Sequence, residues 1–233
     1  MALSIGLEMD PVTRNSKSSV IMKRCISVSL RLLTLVVILL AVDRYYPVAC
    51  CVLGCFNCNP KDAGDGMDIV EAARSQIGVT IRYVPDYEKI DYPNGDVPHE
   101  RGVCSDVVIR ALRKARAIDL QSLIFEDMKL HRWAYPVKSI VQGIDPNIVH
   151  RRVLNMECYF RRQGWSVKSN ESTDLRPGDI VTCRVGGNLP HVMIVSDRHN
   201  EKGCPFVIHN IGRGVEEEDV LLRYPIVGHF RVK

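Results

Sequence analysis

The sequence predicts an α+β fold, with helices first and an antiparallel sheet after them. Three observations predict it. Apolar residues recur at helical spacing between Met67 and Phe160. From Ile180 onward, short apolar runs alternate with turns rich in Gly, Asn and Asp. The 233 residues, 46% of them apolar, suffice for one domain with a sizeable core plus an N-terminal extension. Helices grouped ahead of strands mark an α+β domain.

The elements follow in order. A helix is expected over Met67–Ile77, with Asp65 or Asp68 as its cap, Val70, Ala73 and Ile77 on its inner face, and Gly78 at its end. Residues 79–103 form a long loop containing Tyr83, Tyr87 and Tyr92, and loops of this length often line sites. A second helix starts at Cys104 and ends near Ala117, burying Val108, Ala111, Leu112 and Ala115. Asp119 caps a third helix that runs to about Tyr135, before Pro136. Val153–Phe160 is a fourth amphipathic stretch, ended by Gly164. The turn Leu175–Asp179 then enters a strand, Ile180–Cys183. Gly186-Gly187-Asn188 turns the chain into His191–Ser196, and Asp197–Gly203 turns it into Phe206–His209. The apolar segment Ile226–Val232 closes the chain.

Residues 1–60 differ in kind from 61–233 and read as a signal or membrane-anchor region with a cysteine-rich tail. Met22-Lys23-Arg24 precedes an apolar run from Cys25 to Val42, and Met22 is a candidate start. The densest part, Leu32–Val42, has eleven residues, the length of a signal-peptide apolar region and short of the roughly 20 that span a bilayer. The basic flank before the run predicts export to the periplasm or cell envelope, with membrane contact through this segment. Cys50, Cys51, Cys55 and Cys58 follow at a spacing that does not suit a zinc site. No metal is expected. Net charge is only +4 and aromatics are 6%, with no basic, aromatic-interleaved stretch, so no nucleic-acid partner is expected.

Cys104 is the leading candidate for chemistry. A thiol in the first turn of a helix feels unpaired N–H groups, which favour the thiolate and predict a pKa below the ordinary value of about 8.5. His191 and His209 each lie at the edge of an apolar run. If Ser196 pairs with Cys204, His191 falls directly opposite His209, with Cβ atoms roughly 5 Å apart. A one-residue slip would bring Asn210 there instead. The expected geometry puts the Cys104 sulfur within about 4 Å of a His191 nitrogen, with His191 on the layer that faces the thiol. Asp106 reads as a capping residue or a supporting one. His150, Arg151 and Arg152 read as a binding group for a carboxylate-bearing substrate or as a solvated helix start. Glu126 and Asp127 face solvent, and His131, His199 and His229 show no pattern.

Four motifs in this order resemble the NlpC-type papain-like cell-wall peptidases. They are Val103-Cys104-Ser105, Leu175-Arg176-Pro177-Gly178-Asp179-Ile180-Val181, Pro190-His191-Val192-Met193-Ile194-Val195 and Phe206-Val207-Ile208-His209. More narrowly, Tyr92–Pro98, Gly102–Arg110, Glu126–Met128, His150–Val153, Gly187–His191 and His209–Gly212 resemble the bacterial YijF-type family, domain of unknown function 1287. The first resemblance implies a papain-like fold and a Cys104–His191–His209 triad that cleaves an amide bond in a peptide or peptidoglycan-like substrate, with no cofactor. Asn210 is the alternative orienter. Val103 stands where the peptidases carry Asp, and their Tyr-x-Trp-Gly-Gly stretch is missing, so Tyr83 or Tyr92 would have to assist the oxyanion. Two other functions fit the same residues: a non-catalytic envelope binding module, and acyl transfer from a Cys104 thioester to an amine.

Overall fold

The computed structural model describes residues 66–136, 138, 141, 143–167 and 174–233. The expectations for residues 1–60, including the apolar run, the four clustered cysteines and Met22, lie outside them. Among the described residues no helix is long and apolar enough to cross a membrane.

Four α-helices and a five-stranded antiparallel sheet carry the fold among the described residues. The helices are α1 (Met67–Arg74), α2 (Cys104–Arg116), α3 (Leu120–Leu130) and α4 (Val153–Arg162). Gly66, not an aspartate, stands at the N-cap of α1, in the left-handed region at φ 80°. There it meets Pro177 and Gly178 so closely that a Cβ on Gly66 would overlap the Pro177 carbonyl and one on Gly178 the Gly66 backbone. Asp68 pairs instead with Arg116. Helix α1 stops three residues before Ile77, because Gln76 and Ile77 donate to carbonyls three residues back and tighten the chain into turns. Asp119 caps α3 as expected, accepting from the N–H groups of Gln121 and Ser122. That helix ends at Leu130, earlier than Pro136 demanded. Asp127, expected in solvent, is tied to Arg162 and Tyr135.

Two strands in the long loop, β1 (Arg82–Tyr83) and β2 (Arg101–Gly102), pair in parallel and were not expected. The main sheet contains β3 (Ile180–Val185), β4 (Leu189–His199), β5 (Pro205–Asn210), β6 (Val215–Glu218) and β7 (Ile226–Phe230), in the order β6-β5-β4-β3-β7. Strand β6 is Val-Glu-Glu-Glu, with no apolar alternation to mark it in the sequence. One face of the sheet packs Ile180, Val192, Ile194, Ile208 and Phe230 under the helices. The other packs Val181, Cys183, Met193, Val195 and Val207 around Leu221.

Asp179 links the strand entry to the last strand. It accepts from His229 at 2.7 Å, from Arg231 at 2.7 Å and from the Arg176 N–H at 2.9 Å. His229 is therefore a structural partner, although the sequence showed no pattern for it. Burial pushes the Asp179 carboxyl up, but these three donors outweigh it and hold the pKa below the usual range. Removing one partner of a buried ion pair leaves the others uncompensated. Asp179→Ala should therefore cost about 3–5 kcal/mol, read as a lower urea midpoint at unchanged slope.

Candidate functional site

The turn before α2 is held from four sides. Asp106 accepts from the Val103 N–H at 2.7 Å and grips Arg151 through two contacts of 2.8 Å. Ser105 donates to the Arg151 carbonyl, and Asn210 donates to the carbonyls of Gly102 and Arg82. Asp106 and Arg151 are both buried, so they are spent on each other. Arg110 pairs with Asp96.

The backbone N–H groups of Val192 and Ser105 lie near the Cys104 sulfur and lower its pKa. The reason lies in the sheet. Val195 exchanges bonds with Gly178 and Asp179 on the β3 side. By alternation, the backbone groups of Val192 and Ile194 then point toward β5. The paired positions of β4 and β5 run only as far as Ile194–Ile208 at this end. Val192 thus lies beyond the last paired position, with its N–H on the β5 side.

The hairpin register differs from the expected one. Ile194 pairs with Ile208 and Val195 with Val207, which places His191 diagonal to His209 instead of opposite it. The offset is two residues, so parity is kept and both imidazoles stay on one face. His191 Nε2 lies 2.8 Å from His209 Nδ1, and His209 Nε2 lies 3.0 Å from a Glu218 oxygen. A carboxylate only accepts, so His209 donates from Nε2 and accepts at Nδ1. His191 then donates from Nε2 and carries its lone pair on Nδ1. Glu218 was missed because β6 was missed. Two glutamates at alternate positions, Glu216 and Glu218, were the signal available.

His191 shares a face with its strand partner Cys183, in the layer opposite the one where Cys104 packs. Among the described residues no hydrogen bond joins His191 to the Cys104 sulfur. This corrects the expected contact, because period-two alternation turns the His191 side chain to the face of β4 opposite Val192, which packs with the thiol. The expected thiolate is also corrected. Burial pushes the Cys104 thiol up to about 11, with Asp106 adding to it, against the two N–H groups that lower it. Burial, and then His209, lowers the His191 pKa to about 3. Burial lowers that of His209 too, despite Glu218. At neutral pH the resting site therefore holds a thiol and neutral imidazoles.

Cys104 opens onto a cavity of about 460 Å³ whose walls include Tyr83, Val103, Arg152, Leu189 and Pro190. Tyr83 is the tyrosine beside the thiol, and burial followed by the Cys104 charge raises its pKa. Tyr92 is elsewhere, donating to Glu126 and packing its ring edge-on against Phe125. Asn210 braces the backbone before Cys104 and does not orient His191. His150 is 1% exposed, with burial lowering its pKa to about 4, and it does not line the cavity. Of the basic trio, only Arg152 is both exposed and on the cavity wall.

Residues 70–232 match the family model described as Domain of unknown function (DUF1287). The chain belongs to this family. A family member from Escherichia coli (strain K12), described as "Uncharacterized protein YijF", is 48% identical over 170 residues. The match spans 72% of this chain and 82% of that protein. The matched region includes Cys104, His191, His209 and Glu218, so the described site lies within the family domain.

Proposed function

We propose that the chain is an exported thiol hydrolase of papain-like, NlpC-type fold that cleaves an amide bond in cell-wall peptide. The observation that carries this reading is the arrangement around one backbone N–H. The Cys104 thiol, at the start of α2, lies beside Val192, whose N–H lowers its pKa. The preceding residue, His191, heads a relay through His209 to Glu218.

In this mechanism the Cys104 S–H proton passes through one water to His191 Nδ1 as sulfur bonds to the carbonyl carbon. The carbonyl π pair moves to oxygen, where the Cys104 N–H and the Tyr83 hydroxyl stabilise it. On collapse the C–N bond breaks and the imidazolium returns its proton to the leaving amine. Water then cleaves the thioester by the same base. Because both groups rest neutral, the proton moves during attack instead of being separated beforehand. The N-terminal apolar run and its basic flank support export.

One observation favours the binding-module alternative: the buried thiol forms no hydrogen bond with His191. Purified peptidoglycan incubated with wild type and Cys104→Ala, with products read by mass, tests the reading. Fragments that appear only with wild type support hydrolysis. Fragments that carry an added amine, when one is supplied, identify acyl transfer. No product from wild type leaves the binding module.

A further inference from the structure

The cavity at Cys104 has an asymmetric charge. Its lining includes Lys138, Arg151 and Arg152, and no Asp or Glu. Arg151 is neutralised by Asp106, and both side chains are 4% exposed. Arg152 and Lys138 are different. Both are exposed, and among the described residues neither has a carboxylate within ion-pair distance. Of the acids flanking Arg152 in the chain, Glu157 is paired with Arg161 and Arg184, and Asp145, which shares an adjoining cavity with Arg152, is engaged by Tyr87 and Asn147. The remaining walls are apolar, with Tyr83, Val153, Leu154, Leu189 and Pro190 among them. A cavity of about 460 Å³ with apolar walls and a few convergent polar groups has the character of a small-ligand site.

Resting on the hydrolase reading, we propose that this cleft takes a carboxylate-bearing acyl substrate, such as an acidic peptide, held by Arg152 and Lys138 while Cys104 attacks its amide. Arg152 offers a planar fork that matches a carboxylate, and Lys138 adds a second positive charge. The apolar walls cover the carbon chain between the carboxylate and the reacting carbonyl. Arg151, despite its place in the lining, braces the turn through Asp106 and does not recognise substrate.

The test needs no known substrate. The full protein is alkylated at pH 9 with iodoacetate, a carboxylate, and in parallel with neutral iodoacetamide. Rates at Cys104 are read by mass spectrometry of its peptide. Their ratio cancels the reactivity of the thiol itself. Cys204, which is partly exposed and lines no part of this cavity, supplies the reference ratio in the same sample. In wild type the iodoacetate-to-iodoacetamide ratio at Cys104 should exceed that at Cys204. Arg152→Ala and Lys138→Ala should each lower it by about two- to threefold, as expected for one charge several ångströms away in a wet cleft. Salt at 0.5 M should bring wild type down toward the variants. Arg152→Glu should lower it further.

Because both side chains are exposed, these variants keep the fold, and an unchanged Cys204 ratio checks that. A Cys104 ratio equal to that of Cys204, or one that neither variant moves, overturns the inference. So does a Cys104 that neither reagent reaches. A charge-dependent ratio in a protein that cleaves nothing would leave the anionic cleft standing and overturn the hydrolase reading instead.

Discussion

Replacing His191 with alanine should lower amide cleavage at neutral pH by about a thousandfold, within the range for loss of a general base. The same change should leave the affinity for an uncleaved substrate analogue nearly unaltered. Glu218→Ala should cost about ten- to a hundredfold, the equivalent of one charge-assisted hydrogen bond, because the relay loses the acceptor that sets its tautomers. Glu218→Gln keeps an acceptor oxygen for His209 and should recover part of the rate, which a purely structural role would not explain. The pH profile distinguishes a neutral pair from a preformed ion pair. With the thiol pushed up to about 11 by burial, no rise near 8.5 is expected. With the His191 pKa lowered to about 3, its own titration should not limit the rate near pH 6. Equal rates in wild type and His191→Ala would remove the catalytic assignment.

Acid should unfold this protein through its buried histidines. His150 and His191 stay neutral in the fold, with pKa values lowered to about 4 and about 3 by burial. In the unfolded chain each takes up a proton near pH 6.5. Stability is therefore full above about pH 6.5 and erodes as pH falls toward the folded values. Between pH 6.5 and 4.5 each contributes a loss of about 2 kcal/mol, or about 4 kcal/mol together. His209, lowered in the same direction, adds to this. Urea unfolding over this range should show the loss, and His150→Gln should reduce the proton uptake on unfolding by nearly one. A stability flat from pH 6.5 to 4.5 would contradict these buried neutral imidazoles. The two predictions meet: the acid limb of activity should follow the loss of structure, not the titration of His191.

The sequence by itself determined the order of elements, because apolar periodicity is a local property. Cys104 at a helix start, Asp119 as a cap, the Gly186-Gly187 hairpin and the α+β class all follow from residues near one another in the chain. Two histidines on one sheet face were also legible, since a strand of period two preserves the face under a two-residue offset. What lay beyond the sequence depends on long-range pairing. The register depends on an irregularity in the β4–β5 pairing between Val195 and His199, which no turn residue announces. Strand β6 forms because β5 offers it an edge, so an acidic run that looks like a loop becomes the support for His209. Tertiary contacts also divided the polar residues by role. Asp106 claims Arg151, Asn210 claims the backbone at Gly102, and Arg152 is left facing the cleft. Only the fold decided the protonation state of the site. A helix N-terminus favours a thiolate, but enclosing the sulfur and both imidazoles away from water costs more than those N–H groups return, so the resting site is neutral.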